Sequence, residues 1–138
     1  MVMLVHEILI EVSKKRKKQD KIQLLKNNES WALKDIIRGS MDKTLVWNLP
    51  EGDVPYTPSD AHNAPTNLLR EHKKFRYFVK GGDGDKMIAP KRENIFIGLI
   101  EGIHPSDAKL VIDMISKRVP KGLTREIVQE AFPGLLKD

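Results

Sequence analysis

The chain contains no cysteine. This excludes a disulfide framework, a thiolate nucleophile and a cysteine-ligated zinc site, and leaves an intracellular setting as the expectation. It also lacks any apolar run approaching the roughly 18 residues that a membrane-spanning helix needs. The stretch 1–12 is interrupted by His6, Glu7 and Glu11, so neither a membrane span nor a signal peptide is expected. No segment repeats at a period of about 20 to 50 residues, which argues against a solenoid. Catalytic signatures are missing as well. The serines, Ser30 and Ser59 among them, stand in no Gly-x-Ser-x-Gly elbow, and His6, His62, His72 and His104 share no metal-ligand spacing. Gly81, Gly82, Asp83, Gly84, Asp85 and Lys86 are followed by Met87 rather than the Ser or Thr of a P-loop, and lack the ligand ladder of an EF-hand. They read as a turn or hinge. Glu7 with Glu11, and Glu126 with Glu130, stand one helical turn apart, as on any solvated helix face. No enzyme activity, metal or cofactor is expected from these patterns.

What the chain does have is an ordinary globular composition. Its 138 residues are 40% hydrophobic and 31% charged, enough for a single domain, 1–138, with one modest core. The charge is uneven. Residues 1–80 carry 15 Lys and Arg against 10 Asp and Glu, whereas 81–138 carry nine of each. The whole excess of +5 therefore lies in the first part, and a basic surface attracts polyanions or acidic proteins.

Apolar periodicity predicts a mainly α, compact helical bundle of about six short helices with little or no sheet. A first helix is predicted over 2–12, where Leu4, Val5, Ile8, Leu9 and Val12 make a stripe that Ile10 widens, and a second over 20–25. Ser30 is a natural N-cap for a third, with Trp31, Leu33, Ile36 and Ile37 on its buried side and Gly39 as a left-handed stop. Residues 44–49 are β-prone but have no obvious partner strand. Prolines 50, 55, 58 and 65 mark a long loop over 50–65, of a length often used for partner contact. Tyr56, its only large aromatic, is the candidate docking residue. A helix is predicted over 66–79, followed by the glycine-rich connection 80–89. Pro90 opens the next helix, on which Gly98 and Gly102 could permit close helix contact or Gly102 could equally mark its frayed end, and Pro105 opens another. Thr124 caps a last short one. Ile95, Leu99, Ile100, Val111, Ile112 and Ile115 are the predicted core.

Two basic features stand out as candidate binding residues. One is the uninterrupted run Lys14, Lys15, Arg16, Lys17 and Lys18, which joins or extends the first two helices. The other is the 66–79 segment, which at about 100° per residue separates Phe75, Phe78 and Val79 from Arg70, Lys73, Lys74 and Tyr77, with Arg76 at the boundary. Cations there would hold phosphates while Tyr77 offers a stacking plane. With few arginines, affinity would come mainly from phosphate neutralisation.

Several local motifs carry a resemblance. They are His6-Glu7-Ile8, Ser30-Trp31-Ala32-Leu33-Lys34-Asp35, Leu49-Pro50-Glu51-Gly52 with Pro55-Tyr56, and Phe78-Val79-Lys80-Gly81-Gly82. Ile103-His104-Pro105-Ser106-Asp107-Ala108 and Val128-Gln129-Glu130-Ala131-Phe132-Pro133-Gly134 complete the set. Together they resemble an uncharacterised family of small proteins from T4-like tailed phages, over almost the whole chain. That resemblance implies a viral origin and a setting in the cytoplasm of the infected bacterium or in the virion, and transfers no activity. The expectation is a non-enzymatic phage accessory protein that contacts nucleic acid, or a protein complex acting on it, through the basic surface of its first 80 residues, with no membrane partner. The alternatives are a virion structural component of the neck, tail or capsid, and an inhibitor of an acidic host protein.

Overall fold

The computed structural model describes residues 3–50 and 54–137. Among these, seven α-helices form: α1 (Val5–Lys14), α2 (Lys18–Asn27), α3 (Trp31–Met41), α4 (Leu68–Glu71), α5 (Ala89–Gly102), α6 (Pro105–Ile115) and α7 (Arg125–Ala131), with 3₁₀ helices at His72–Tyr77 and Asp83–Lys86. The expected mainly helical class is what the chain adopts. α6 lies centrally, packed on α3, α5 and α1, while α2 packs on α1 and α7. The predicted start of the first helix at Val2 lies outside the described residues, as do 51–53 in the proline-rich loop.

Local chemistry explains most of the helix ends. The Ser30 hydroxyl accepts the Leu33 N–H at 3.1 Å, and Thr124 accepts the Ile127 N–H at 3.2 Å, each satisfying an orphan first-turn donor. Asn67 does the same for Arg70. At α1 the Glu7 carboxylate reaches back to the Leu4 N–H at 2.7 Å. His104 precedes Pro105 and caps α6, its Nδ1 accepting the Ser106 N–H at 3.0 Å.

The core joins Val5, Ile8, Leu9 and Val12 of α1 to Leu33, Ile36 and Ile37 of α3, and to Leu99, Ile100, Val111 and Ile115. Burying each such side chain contributes roughly 1.5–3 kcal/mol. Ile95 and Ile112, expected there too, are only partly buried; Phe96, Ile103 and Met114 take the interior positions instead. The reason is register. α5 turns Arg92, Phe96, Leu99 and Ile100 inward, a stripe that leaves Ile95 on its shoulder. Ile10, expected to widen the α1 stripe, is 48% exposed, and Gly98 has no neighbour where a side chain would project, so no helix crosses closely there.

Gly39 corrects another expectation. It does not stop α3, which runs on to Met41. A methyl group on it would lie 2.5 Å from the Met114 sulfur and 2.6 Å from the Trp47 ring, so glycine is there for close packing. Trp47 completes the contact by donating its indole N–H to the Gly39 carbonyl at 2.9 Å. The segment around Trp47, expected to be unpartnered, makes a single antiparallel bridge to Val79. The Asn48 N–H reaches the Phe78 carbonyl at 2.6 Å and the Lys80 N–H reaches the Val46 carbonyl at 2.8 Å.

The largest correction concerns 66–79. Only Leu68–Glu71 is α-helical; His72–Tyr77 is a 3₁₀ helix, which repeats every three residues rather than every 3.6. His72, Phe75 and Phe78 therefore share the inward side, with Phe75 and Phe78 buried, while Lys73 and Arg76 share the exposed one. Lys74 and Tyr77 fall between and are half-buried. Gly84 is what lets the chain return so closely, because a methyl group there would stand 1.7 Å from the Tyr77 carbonyl oxygen.

Candidate functional site

The five-residue basic run spans the end of α1, the α1–α2 junction and the start of α2. Lys18, the first residue of α2, is bound to α7: its ammonium meets Glu126 and also Glu130 at 2.8 Å. Hydrogen bonds to those two carboxylates raise its pKa above the ordinary lysine value. Lys14 pairs back to Glu11 at 3.5 Å. Between them Lys15, Arg16 and Lys17 are exposed and make no ion pair among the described residues. Lys18 thus fastens the junction to α7, the Lys14 pair stays within α1, and three cations project from between them.

Arg70, Lys73, Lys74 and Tyr77 sit elsewhere, against α3 and the Asp83–Lys86 turn. Arg70 and Lys73 are exposed. Lys74 pairs with Glu71 at 3.2 Å, and Arg76 pairs with Asp83 at 3.2 Å. The Tyr77 ring packs on the core and carries the Arg76 guanidinium 5.2 Å from its centre. No ion pair or hydrogen bond among the described residues joins this group to the 14–18 run, whose own neighbours are α7 and the loop at Gly122; Lys21 donates to the Gly122 carbonyl at 2.8 Å. Tyr56 is partly buried against the chain's own core. Its loop is tied to the end of α5, with the Thr57 N–H on Glu101 at 2.8 Å and the Ser59 hydroxyl on the Ile103 carbonyl at 2.5 Å.

Four polar centres carried no local signal in the sequence, because each takes at least one partner from far along the chain. The buried Asp107 accepts both the His6 N–H at 2.9 Å and His6 Nδ1 at 2.8 Å, and His6 stacks on His104 with ring centres 4.4 Å apart. The buried Arg92 donates to the carbonyls of Asn48, Gly84 and Met87. Asp42, also buried, accepts from the Thr44 N–H and hydroxyl at 2.8 and 2.6 Å and from the Lys137 N–H at 3.0 Å. Burial pushes the Asp42 pKa upward. The Thr44 hydroxyl, the Lys137 and Thr44 N–H groups and the nearby Lys117 outweigh that, and the net shift is below its ordinary value of 3.8. Asp35 holds His72 Nδ1 at 2.6 Å and Arg38 at 3.3 Å. Each of these centres ties segments together. Among the described residues no cluster of three His, Asp or Glu side chains is arranged to hold a metal ion, and no helix is long and apolar enough to cross a membrane.

Most of the acidic side chains among the described residues are engaged within the fold, while several cations face outward. The chain belongs to the family of unknown function DUF6433, whose family model matches residues 8–121. None of the curated proteins matches it.

Proposed function

We propose that this protein is a non-enzymatic accessory protein of a T4-like tailed phage, acting in the infected bacterium, and that it binds nucleic acid or a complex acting on it through the cations of the α1–α2 junction. The motif resemblance supports the phage origin. The observation that carries the binding reading is the set Lys15, Arg16 and Lys17, exposed and without ion pairs among the described residues, between Lys14, paired within α1, and Lys18, held by α7. Unpaired cations on a held loop cost the fold little and are free to neutralise phosphates, releasing counterions as they do. Arg70 and Lys73, exposed and without an ion pair among the described residues, offer further charge on another part of the surface.

The test is binding of labelled single-stranded DNA, duplex DNA and RNA across a salt series. Wild-type protein should bind at low ionic strength with affinity falling steeply as salt rises. Reversing Lys15, Arg16 and Lys17 to Glu together should weaken binding and flatten the slope. Absence of any salt-sensitive binding by the wild type overturns the proposal and leaves an acidic protein as the partner that suits the same cations.

A further inference from the structure

The chain has two tryptophans, used in opposite ways. Trp47 is 9% exposed, with its N–H satisfied by Gly39. Trp31 is 62% exposed, and its indole N–H has no partner among the described residues. A large aromatic that serves neither core nor hydrogen-bond network needs another explanation. It stands at the first position of α3, over a cleft of about 460 Å³ whose wall includes Lys34, Arg38, Phe132, Pro133 and Lys137. The Lys34 ammonium lies 4.6 Å from the Trp31 ring centre and 5.4 Å from that of Phe132. Arg38 also lines an adjoining cleft of about 450 Å³, where Lys73 and Arg76 are found.

The surroundings decide what such a ring would meet. A protein-docking tryptophan normally sits within a contiguous apolar patch. The other exposed large apolar residues, Ile10, Val46, Leu69, Ile88 and Val119, do not line this cleft. Phe132 and Leu135, which do, are buried. What borders Trp31 is net positive: Lys34, Arg38 and Lys137 line the cleft with one carboxylate, Glu29, which Lys34 engages at 2.5 Å, while Arg38 also meets Asp35 of the adjoining cleft at 3.3 Å. One open aromatic face among cations is the arrangement that takes an unstacked base with its phosphates.

We infer that Trp31 is a stacking platform for a base of single-stranded nucleic acid, with Lys34, Arg38 and Lys73 positioned along the path of the adjoining phosphates. This rests on the polyanion-binding reading above and gives it a strand preference, because bases in a duplex are already stacked. It also connects the two basic regions to one helix. Lys18 grips Glu126 and Glu130 of α7, and the residues that follow, Ala131 to Gly134, line the Trp31 cleft.

The experiment titrates the full chain with an oligothymidylate and with a duplex, reading tryptophan fluorescence and the anisotropy of labelled DNA. Single strand should quench wild-type fluorescence. Trp31→Phe should abolish the quench while the Trp47 emission reports an intact fold. Trp31→Ala should weaken single-strand binding about ten-fold, leave the salt slope unchanged and leave duplex binding as it was. If the wild type binds and responds to charge reversal at 15–17, yet Trp31→Ala binds single strand equally well or the quench survives in Trp31→Phe, the platform is wrong and the polyanion reading stands. If the wild type binds no nucleic acid, both fall, and Trp31 becomes a candidate contact for a protein.

Discussion

The two basic segments, 14–18 with five Lys or Arg and 70–77 with four, put their charge to opposite uses. Along 14–18 the chain leaves α1, turns and enters α2; the flanking lysines are paired and the three between them are not. Along 70–77 the chain is wound tightly onto the core. There Phe75 is buried, Lys74 and Arg76 are engaged by Glu71 and Asp83, and Tyr77 is half-covered. A cation count along the sequence makes the two look equivalent. The difference lies in what the intervening residues do: with no apolar residue from 14 to 18 nothing pulls the junction inward, whereas Phe75 and Phe78 pull the second segment flat against α3 and α5.

This contrast can be broken from either side. The largest effect is expected at Phe78, fully buried and edge-on to Phe96 at 5.4 Å. Phe78→Ala should cost about 3–5 kcal/mol in urea unfolding, and a cost near zero would mean that the 70–77 segment is not anchored as described.

Next comes Asp42, a buried polar anchor with no counterpart in the 14–18 junction. Asp42→Ala removes three hydrogen bonds to a charged acceptor and should cost about 2–4 kcal/mol at neutral pH. Because its folded pKa lies below its unfolded value, the Asp42 contribution is complete above the ordinary value of 3.8 and fades as pH falls through the lower folded value. Stability measured from pH 6 downward should therefore fall less steeply at the acid end in Asp42→Ala than in wild type; parallel curves would remove Asp42 from the account.

Smaller still is the effect on stability of reversing Lys15, Arg16 and Lys17, expected within about 0.5 kcal/mol per site because none makes a contact the fold requires. Thermal melts alongside the binding series would show this; a large loss of stability would mean that the junction is structural. The smallest change is expected for Lys74→Gln, which gives up one partly exposed ion pair with Glu71 and should alter stability by about 0.5 kcal/mol or less. A larger loss would move Lys74 from the solvated edge into the anchoring set.

By itself the sequence determined the helical class, most of the helix boundaries and a large part of the core. Those depend on short-range patterns: the Ser30 and Thr124 caps, the prolines near the starts of α5 and α6, and stripes such as Val5, Ile8, Leu9 and Val12 are all readable within one turn or a few. It also placed the 14–18 cations outside the core, joining or extending the first two helices, since an uninterrupted charged run cannot enter a core; the structure does both, with Lys14 in α1 and Lys18 in α2. Only the tertiary structure decided the rest. Whether 72–77 winds every 3.6 residues or every three goes with Gly84 letting the following turn return onto Tyr77 and with Phe78 meeting Phe96. The exposure of Trp31 was equally hidden: the α3 pattern placed it on the buried side with Leu33, Ile36 and Ile37, and only the position of α7 and the C-terminal segment leaves its ring open beside Lys34. Asp42, Arg92 and Asp107 are ordinary charged residues in the sequence. They become anchors because burial requires each to find its partners, and those partners are brought together by packing between helices, which no local pattern records.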